Sequence, residues 1–228
     1  MAGGIWCVIP IKDLLHAKTR LAPRLTPEER RGLFKAMAED VLAAACAATA
    51  ASSLAGVLVL TNDPDARALA AAYGARVEGE PANIGQSEAV ARAAALLAAE
   101  GADGVLTLPA DAPLATADEI ASALARHPAS RPALTIVPDH ARRGSNCLIL
   151  TPGGLIPLHF GHTSFQPHLD ECARIGVVPT ILDDLPGIAL DVDTPDDLAA
   201  ALMAGRETRA IRFARRSGIA ARLLSGPS

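Results

Sequence analysis

The chain has 228 residues, half of them hydrophobic, and a net charge of −4. No uncharged apolar stretch approaches the roughly 18 to 20 residues of a membrane span, and the N-terminus lacks the layout of a signal peptide, so we expect a cytoplasmic protein with no membrane partner. Residues 205–228 hold six arginines and one glutamate, which leaves a charge of −9 on residues 1–204 and argues against nucleic-acid binding.

Length and charge together suggest one domain with a distinct end. We predict a single domain over residues 1–204 and an arginine-rich tail over residues 205–228. The tail is either a terminal helix held by the acidic body or by a second subunit of a homodimer, or a solvated and partly frayed end, which is the preferred interpretation. The cysteines are scattered in apolar surroundings, which indicates buried thiols rather than zinc ligands or disulfides: Cys7, Cys46, Cys147 and Cys172.

Short apolar runs alternate with alanine-rich stretches along the chain. The runs predict strands at residues 5–11, 55–61, 75–79, 104–109, 132–138, 146–151 and 177–182. The helices between them are predicted to start after Thr26 and Asp63, to cover residues 87–101, and to start again at Thr116, after Phe165 and at Thr194. Strands that alternate with helices indicate an α/β fold with one mostly parallel sheet and helices on both faces.

Ligands of such sheets bind beyond the carboxyl ends of the strands, so the polar residues that follow strands are the candidates for a site. Lys12, Lys18 and Arg20 follow the first predicted strand in "IPIKDLLHAKTRLAP". Three cations at a strand end can bind an anion, although a solvated basic loop is the alternative. The stretch has neither the glycine-rich phosphate loop of P-loop proteins nor the dinucleotide fingerprint, so a nucleotide would bind here by different contacts.

Three aspartates follow other apolar runs. Asp111 comes after a strand in "LTLPADAPL", where it could equally be a turn residue. Asp191 and Asp193 share one face if "IALDVDT" is extended, and helix capping by Thr194 explains at most one of these two carboxylates. A hard divalent cation explains both, and Asp111 from a neighbouring strand end would complete a Mg²⁺ site.

Five motifs occur in a fixed order: "VIPIK" with "AKTRLAP", "AD" with "PL" after a strand, "RGSNCLIL", "FGHTSF" and "ALDVDTPDDL". In this order and spacing the chain resembles, over about residues 5–202, the guanylyltransferases of coenzyme F(420) biosynthesis that act on phosphorylated carboxylic acids. The resemblance implies a nucleotide-diphospho-sugar-transferase-like fold. It also implies transfer of GMP from GTP to 2-phospho-L-lactate, phosphoenolpyruvate or 3-phospho-D-glycerate, with release of pyrophosphate.

The resemblance assigns roles to individual residues. Metal ligation falls to Asp111, Asp191 and Asp193. Lys12, Lys18 and Arg20 are assigned as contacts to the nucleotide phosphates. Together with Asp111 they are the predicted catalytic residues. Acceptor binding falls to Ser145, Gly161 and Ser164, and Glu88 is assigned as a contact to guanine or ribose.

Several residues keep two interpretations. Asn146 either orients the acceptor carboxylate or bonds backbone groups, and Arg142 and Arg143 either close over an anionic acceptor or form a solvated loop. The spacing of His159, His162 and His168 is poor for a structural zinc site. His162 either lines the acceptor pocket or, like the other two, is a polar loop or helix-end residue.

The chemistry of the proposed transfer needs few protein groups. Phosphoryl-type transfer depends on positioning and on neutralisation of negative charge, and an acceptor phosphate with a second pKa of about 6 needs no general base. Two rival functions remain: a metal-dependent glycosyltransferase that uses a nucleotide sugar, and a regulatory nucleotide-binding module without turnover. The retained charge cluster argues against the second, because it costs stability when the metal is absent.

Overall fold

The computed structural model describes residues 3–14, 18–52, 54–80 and 85–225. Within these ranges seven strands form one sheet in the order β3-β2-β1-β4-β6-β5-β7. The strands are β1 (Ile5–Pro10), β2 (Leu54–Leu60), β3 (Arg76–Glu78), β4 (Gly104–Thr107), β5 (Ala133–Pro138), β6 (Ser145–Thr151) and β7 (Thr180–Ile181). All neighbours are parallel except β6, which runs antiparallel between β4 and β5, so the predicted mostly parallel sheet is confirmed.

Helices connect most of the strands, although a loop joins β5 to β6, and they continue to the end of the described chain. They are α1 (Pro27–Ala51), α2 (Pro64–Ala72), α3 (Gln86–Ala99), α4 (Ala117–Arg126), α5 (Phe165–Arg174), α6 (Pro186–Ala189), α7 (Pro195–Met203), α8 (Arg209–Arg216) and α9 (Ile219–Leu224). The caps read from the sequence are confirmed: Thr26 and Glu29 form a capping box, Asp63 accepts the first amides of α2, and Thr194 caps α7. No helix in the described ranges is both long enough and apolar enough to span a bilayer.

The core lies on both faces of the sheet, as the alternation of side chains along a strand requires. In β1, Cys7 and Ile9 pack into the cluster under α1, α4 and α7, whereas Val8 packs on the opposite face with residues of α3 and α5. The predicted helical cover of both faces is therefore confirmed, and the sheet between the two layers gives its strand ends a fixed position.

One edge of the sheet gathers the polar residues. Since β1 and β4 are parallel, the loops that follow them, with Lys12 and Asp111, leave the sheet on the same side. The antiparallel β6 begins where β4 ends, with Leu148 beside Thr107, so Ser145 and Asn146 at its start reach the same edge. Residues at the start of β6 thus lie at the same edge as residues that follow β1 and β4.

The segment before α7 differs from the sequence prediction. Of the stretch considered as extended, residues 188–194, the first two belong to the short helix α6, which Pro186 starts, and residues 190–193 join no strand of the described sheet. Instead the Val192 N–H donates to the Asp111 carbonyl oxygen at 2.9 Å. This bond, rather than a sheet register, places Asp191 and Asp193 beside Asp111.

The helix at Thr194, predicted to be the last, is followed by two more. The amides of Arg209 and Ala210 at the start of α8 both donate to the Asp40 carboxylate at 2.9 Å, and Arg222 pairs with Glu29 at 2.6 Å. The acidic partners in these contacts belong to α1 of the same chain, whereas Arg215 pairs with Glu207 within the tail. The division of the chain at residue 204 and the homodimer stay predictions.

Candidate active site

Three carboxylates from distant parts of the chain converge at the polar edge of the sheet. Asp111, Asp191 and Asp193 each contribute an oxygen, and these oxygens lie within 4.8 Å of one another. Asp111 follows β4, while the other two precede α7, which Thr194 and Asp197 fix through a reciprocal capping box. The structure thus brings the predicted metal ligands together.

Lys18 lies between two of these carboxylates. Its Nζ donates to Asp193 Oδ1 at 2.7 Å and also to Asp111 Oδ2, and its side chain is only 5% exposed. Its backbone has a positive φ of 58°, at the start of a single 3-10 turn over Thr19–Leu21. The sequence placed this lysine in a phosphate loop, whereas the structure makes it the counter-ion of the aspartates.

Burial and charge set the ionisation of this cluster. Burial lowers the pKa of Lys18, but the carboxylates of Asp111 and Asp193 outweigh burial and hold that pKa above its ordinary value. For Asp193, burial acts to raise the pKa, but Lys18, with His162 and Arg20, brings it below the usual range. Asp191 pairs with no cation among the described residues: burial, followed by the nearby Asp111 charge, raises its pKa to about 6.

Asn146 supports the cluster from β6. Its amide nitrogen donates to Asp191 Oδ1 and to the carbonyl oxygen of Ile188, both at 3.0 Å. The two amide hydrogens are therefore directed to a carboxylate and to the backbone. Of the two predicted roles, this contact pattern favours positioning of protein groups.

A cavity of about 420 Å³ opens on one side of the cluster and is lined by, among others, Lys12, Lys18, Phe34, Gln86 and Asp111; we call it the lysine cavity. Lys12 is exposed at its rim. Arg20, whose side chain is 53% exposed, lies outside this lining set, with Nη1 4.0 Å from Asp193 Oδ2. The three predicted cations therefore surround one site: Lys18 is buried, Lys12 is exposed at the rim of the lysine cavity, and Arg20 is exposed outside its lining.

A second cavity, of about 290 Å³, opens on the other side; we call it the serine cavity. The three aspartates line it together with Ser145, Gly161, His162 and Ser164. Gly161 has a φ of 153°, and the amide of Ser145 donates to Ser164 Oγ at 2.9 Å. The structure therefore brings the predicted acceptor-binding residues to one cavity.

The two cavities meet at Asp111, Pro109 and Gln86, which line both. Sequence analysis missed Gln86, although its place in the first turn of the helix after β3 was a usable signal. Glu88, two residues later, is exposed and is not among the described residues that line either cavity. Part of the loop before it, residues 81–84, lies outside the described residues.

The histidines and the arginine with two predicted interpretations have different surroundings. His162 lines the serine cavity and lies 3.6 Å from Asp193 Oδ2, whereas His159 contacts Glu171 at 3.1 Å and His168 is fully buried. Arg142 pairs with Asp183 and lies over the ring of Phe165, with its guanidinium carbon 5.1 Å from the ring centre. These contacts hold the loop before β6 against other parts of the protein and favour the structural interpretation of Arg142.

The donor set fits a divalent cation. All three groups are carboxylates, which are the ligands that hard cations prefer. Asp111 Oδ1 is buried and has no hydrogen-bond partner among the described residues, although a buried charged oxygen normally has one. A cation would satisfy this oxygen, and among the described residues Lys18 is the one buried cation that offsets the three acidic groups.

The chain is similar in sequence to known guanylyl transferases. A family model described as "Guanylyl transferase CofC like" matches residues 5–228. A phosphoenolpyruvate guanylyltransferase of Rubrobacter xylanophilus is 40% identical over 86% of this chain and 92% of the relative. A 2-phospho-L-lactate guanylyltransferase of Methanothermobacter thermautotrophicus is 34% identical over 92% of this chain and 89% of the relative.

Solved structures are similar in fold at low identity. A nucleotidyl transferase from Methanothermobacter thermautotrophicus superposes with a TM-score of 0.63 at 15% identity and covers 93% of this chain and 99% of its own. A CMP:2-keto-3-deoxy-manno-octonic acid synthetase complexed with CTP gives a TM-score of 0.57 at 16% identity and covers 90% of this chain and 99% of its own. The fold is that of nucleotidyl and nucleotide-diphospho-sugar transferases.

Proposed function

The chain belongs to the CofC-like guanylyl transferase family, and on that premise we propose that it transfers GMP from GTP to a small phosphorylated carboxylic acid in coenzyme F(420) biosynthesis. The acceptor is 2-phospho-L-lactate, phosphoenolpyruvate or 3-phospho-D-glycerate. The chain is a nucleotidyltransferase, and pyrophosphate is the second product.

One observation carries this proposal: the charge cluster lies where the two cavities meet. The lysine cavity, with its cationic rim, suits the triphosphate of GTP, and the serine cavity suits a small anionic acceptor. The reacting groups would then face each other beside Asp111. Holding two reactants in this way is the main contribution that an enzyme makes to phosphoryl-type transfer.

The proposed cation is Mg²⁺, held by Asp111, Asp191 and Asp193. When bound, it supplies Lewis-acid polarisation of the phosphate and offsets the charge that develops there. The buried, unpartnered Asp111 Oδ1 supports this assignment. Mg²⁺ and GTP are therefore the conditions under which activity should be measured.

The bond changes are simple. A phosphate oxygen of the acceptor attacks the α-phosphorus of GTP and forms a new phosphorus–oxygen bond. The bond from that phosphorus to the oxygen bridging the β-phosphate breaks, and pyrophosphate leaves with the electron pair. The acceptor phosphate is largely ionised at neutral pH, because its second pKa is about 6, so no protein base removes a proton.

The side chains contribute binding and charge. Lys18 keeps Asp111 and Asp193 in place and holds a positive charge at the meeting point of the cavities. Lys12 and Arg20 have exposed side chains that can contact the triphosphate and the departing pyrophosphate. Ser145, Gly161 and Ser164 offer hydroxyl and backbone groups to the acceptor.

The test is a three-acceptor assay with purified protein, GTP and Mg²⁺ that follows release of pyrophosphate. A downstream lactyl-transfer enzyme is included to capture an unstable product. We expect release with one acceptor, well above the Mg²⁺-only background. Absence of pyrophosphate with all three acceptors, with either Mg²⁺ or Mn²⁺, would overturn the proposal.

A further inference from the structure

His168 is a buried histidine that lies directly beneath the serine cavity. It belongs to α5, its side chain has no exposed surface, and its Nδ1 is 3.0 Å from Ser145 Oγ. Ser145 itself lines the cavity and is 7% exposed. The histidine therefore lies just out of reach of a bound acceptor and in contact with a group that can touch it.

The second nitrogen of the ring fixes the position of the proton. The backbone N–H of His159 donates to His168 Nε2 at 3.0 Å. A backbone amide can only donate, so Nε2 must present its lone pair. Burial, followed by the nearby His159, lowers the pKa of His168 to about 4, which keeps the ring neutral near pH 7. The single ring hydrogen therefore belongs to Nδ1.

This tautomer decides what Ser145 can do. Nδ1–H donates to Ser145 Oγ, so the hydroxyl oxygen is an acceptor within the protein and its own hydrogen points elsewhere. Ser164 is in the same situation, because its Oγ accepts the Ser145 N–H at 2.9 Å. Among the described residues neither hydroxyl donates to a protein group. Both residues line the serine cavity, where two free hydroxyl donors suit an anionic oxygen.

We propose that His168 is a positioning residue: by donating from Nδ1 to Ser145 Oγ, it commits the Ser145 hydroxyl to donate to an anionic oxygen of the acceptor. This inference rests on the proposed function, because it concerns the acceptor of that reaction. Without this tautomer the Ser145 hydroxyl would donate to the ring and offer a lone pair to the acceptor, which would repel an anion.

The tautomer can be measured without any reaction. Nitrogen-15 NMR of labelled histidine distinguishes a ring protonated at Nδ1 from one protonated at Nε2, and His168→Gln identifies the signal by its loss. We expect an Nδ1–H ring at neutral pH in the full chain. An Nε2–H ring or a charged ring at that pH would overturn the proposal.

Kinetics of two matched variants test the consequence. In His168→Asn the amide N–H lies near the position of Nδ1, whereas in His168→Gln it lies near Nε2, so only the asparagine can still donate to Ser145. We expect His168→Gln to raise KM for the acceptor about tenfold, and His168→Asn to raise it by less than about threefold, as the loss of one hydrogen bond to a charged ligand implies. KM for GTP should stay unchanged in both.

Two further comparisons complete the design: the His168 variants are also made in Ser145→Ala protein, and a histidine elsewhere in the fold is replaced as a control. In Ser145→Ala protein the difference between the two His168 variants should vanish, since the histidine then has no hydroxyl to orient. His127→Gln serves as the control, because His127 is half-buried and bonds two threonine hydroxyls, Thr135 and Thr151, away from both cavities.

Equal effects of the two variants, or a difference that survives in Ser145→Ala protein, would overturn the proposal. If both His168 variants fail to fold, the NMR result on the unchanged protein decides, with the His168 ring signals assigned through their connection to the backbone resonances of that residue. An inactive wild-type enzyme would instead defeat the proposed function and would leave the tautomer measurement valid.

Discussion

Lys18 and Asp193 lie 175 residues apart in the chain, yet the lysine Nζ is 2.7 Å from Oδ1 of the aspartate. The same ammonium donates to Asp111, and the lysine side chain is 5% exposed. One buried cation thus holds the loop after β1 against the segment before α7. The stability of this edge of the sheet therefore depends on charge balance, which a metal ion would alter.

Replacing Lys18 with methionine should destabilise the metal-free protein. Two partly buried carboxylates lose their cation, so we expect the free energy of unfolding to fall by about 1–3 kcal/mol in the presence of a chelator. Mg²⁺ should restore more stability to the variant than it adds to the wild type, since it replaces the missing charge. Urea unfolding with chelator and with Mg²⁺ measures both effects.

Arg126→Met is the matched control for this change, because it breaks an exposed pair with Asp184 at 2.7 Å. Its effect should stay below about 1 kcal/mol and should not depend on Mg²⁺. A Lys18→Met protein as stable as the wild type in chelator would contradict the counter-ion role.

Asp111→Asn should reduce pyrophosphate release at least about a hundredfold, because it removes a proposed metal ligand and its charge at the meeting point of the cavities. Binding of Mn²⁺, followed by electron paramagnetic resonance, should weaken in parallel. Asp196→Asn is the control, since Asp196 is exposed in the first turn of α7 near the other ligands. Full activity of Asp111→Asn would rule out the metal assignment.

Protonation of His168 should destabilise the fold at low pH. Its pKa falls from 6.5 to about 4 because the ring is buried and lies near His159, while Glu171 acts weakly in the opposite direction. The unfolded chain therefore binds the proton more tightly, and the stability from neutral His168 is complete above pH 6.5 and lost as pH falls towards 4. Over that range the loss is on the order of 3 kcal/mol.

The measurement compares the free energy of unfolding of wild type and His168→Asn as a function of pH. The two curves should converge as pH falls below 6.5, because the asparagine takes up no proton. Other titrating groups cancel in the difference between the curves. Parallel curves would show that the folded His168 has an ordinary pKa.

Gly187→Ala should disturb the segment that carries two of the aspartates. A Cβ at this position would overlap the carbonyl oxygen of Leu114, before α4, and Oε2 of Glu119 in that helix, so α6 would have to move away from both. We expect a loss of about 1–3 kcal/mol in stability and a lower rate of pyrophosphate release. Gly154→Ala, where a Cβ meets nothing within 4 Å, should be nearly neutral. Equal stability and activity of the two variants would show that this close approach has no effect.

Asp40→Ala should loosen the two C-terminal helices from α1. The carboxylate accepts the amides of Arg209 and Ala210 and is 7% exposed, so its removal leaves two donors at the start of α8 without a partner. The expected cost is about 2 kcal/mol, with faster amide hydrogen exchange in α8. Glu28→Ala, an exposed change on the same helix, is the control. Unchanged exchange in α8 would contradict this account of the docking.

Sequence alone was sufficient for features that depend on near neighbours in the chain. The capping boxes at Thr26 and Thr194 use residues three positions apart, so their hydrogen bonds follow from local spacing. The alternation of strands and helices implied a parallel sheet, and that rule alone placed Lys12 and Asp111 at the same edge. The motif order implied the family and a list of site residues, although their roles stay proposals.

Tertiary structure decided what depends on strand direction, burial and distant partners. Because β6 is antiparallel, residues at its start, such as Ser145, reach the edge where the parallel strands end, which a rule about strand ends does not foresee. The proton position of His168 depends on an amide nine residues away, and the partners of Lys18 lie 93 and 175 residues away. Hydrogen bonds and charges act through space, so composition and spacing reveal the groups that can bond, and only the folded chain determines which of them meet.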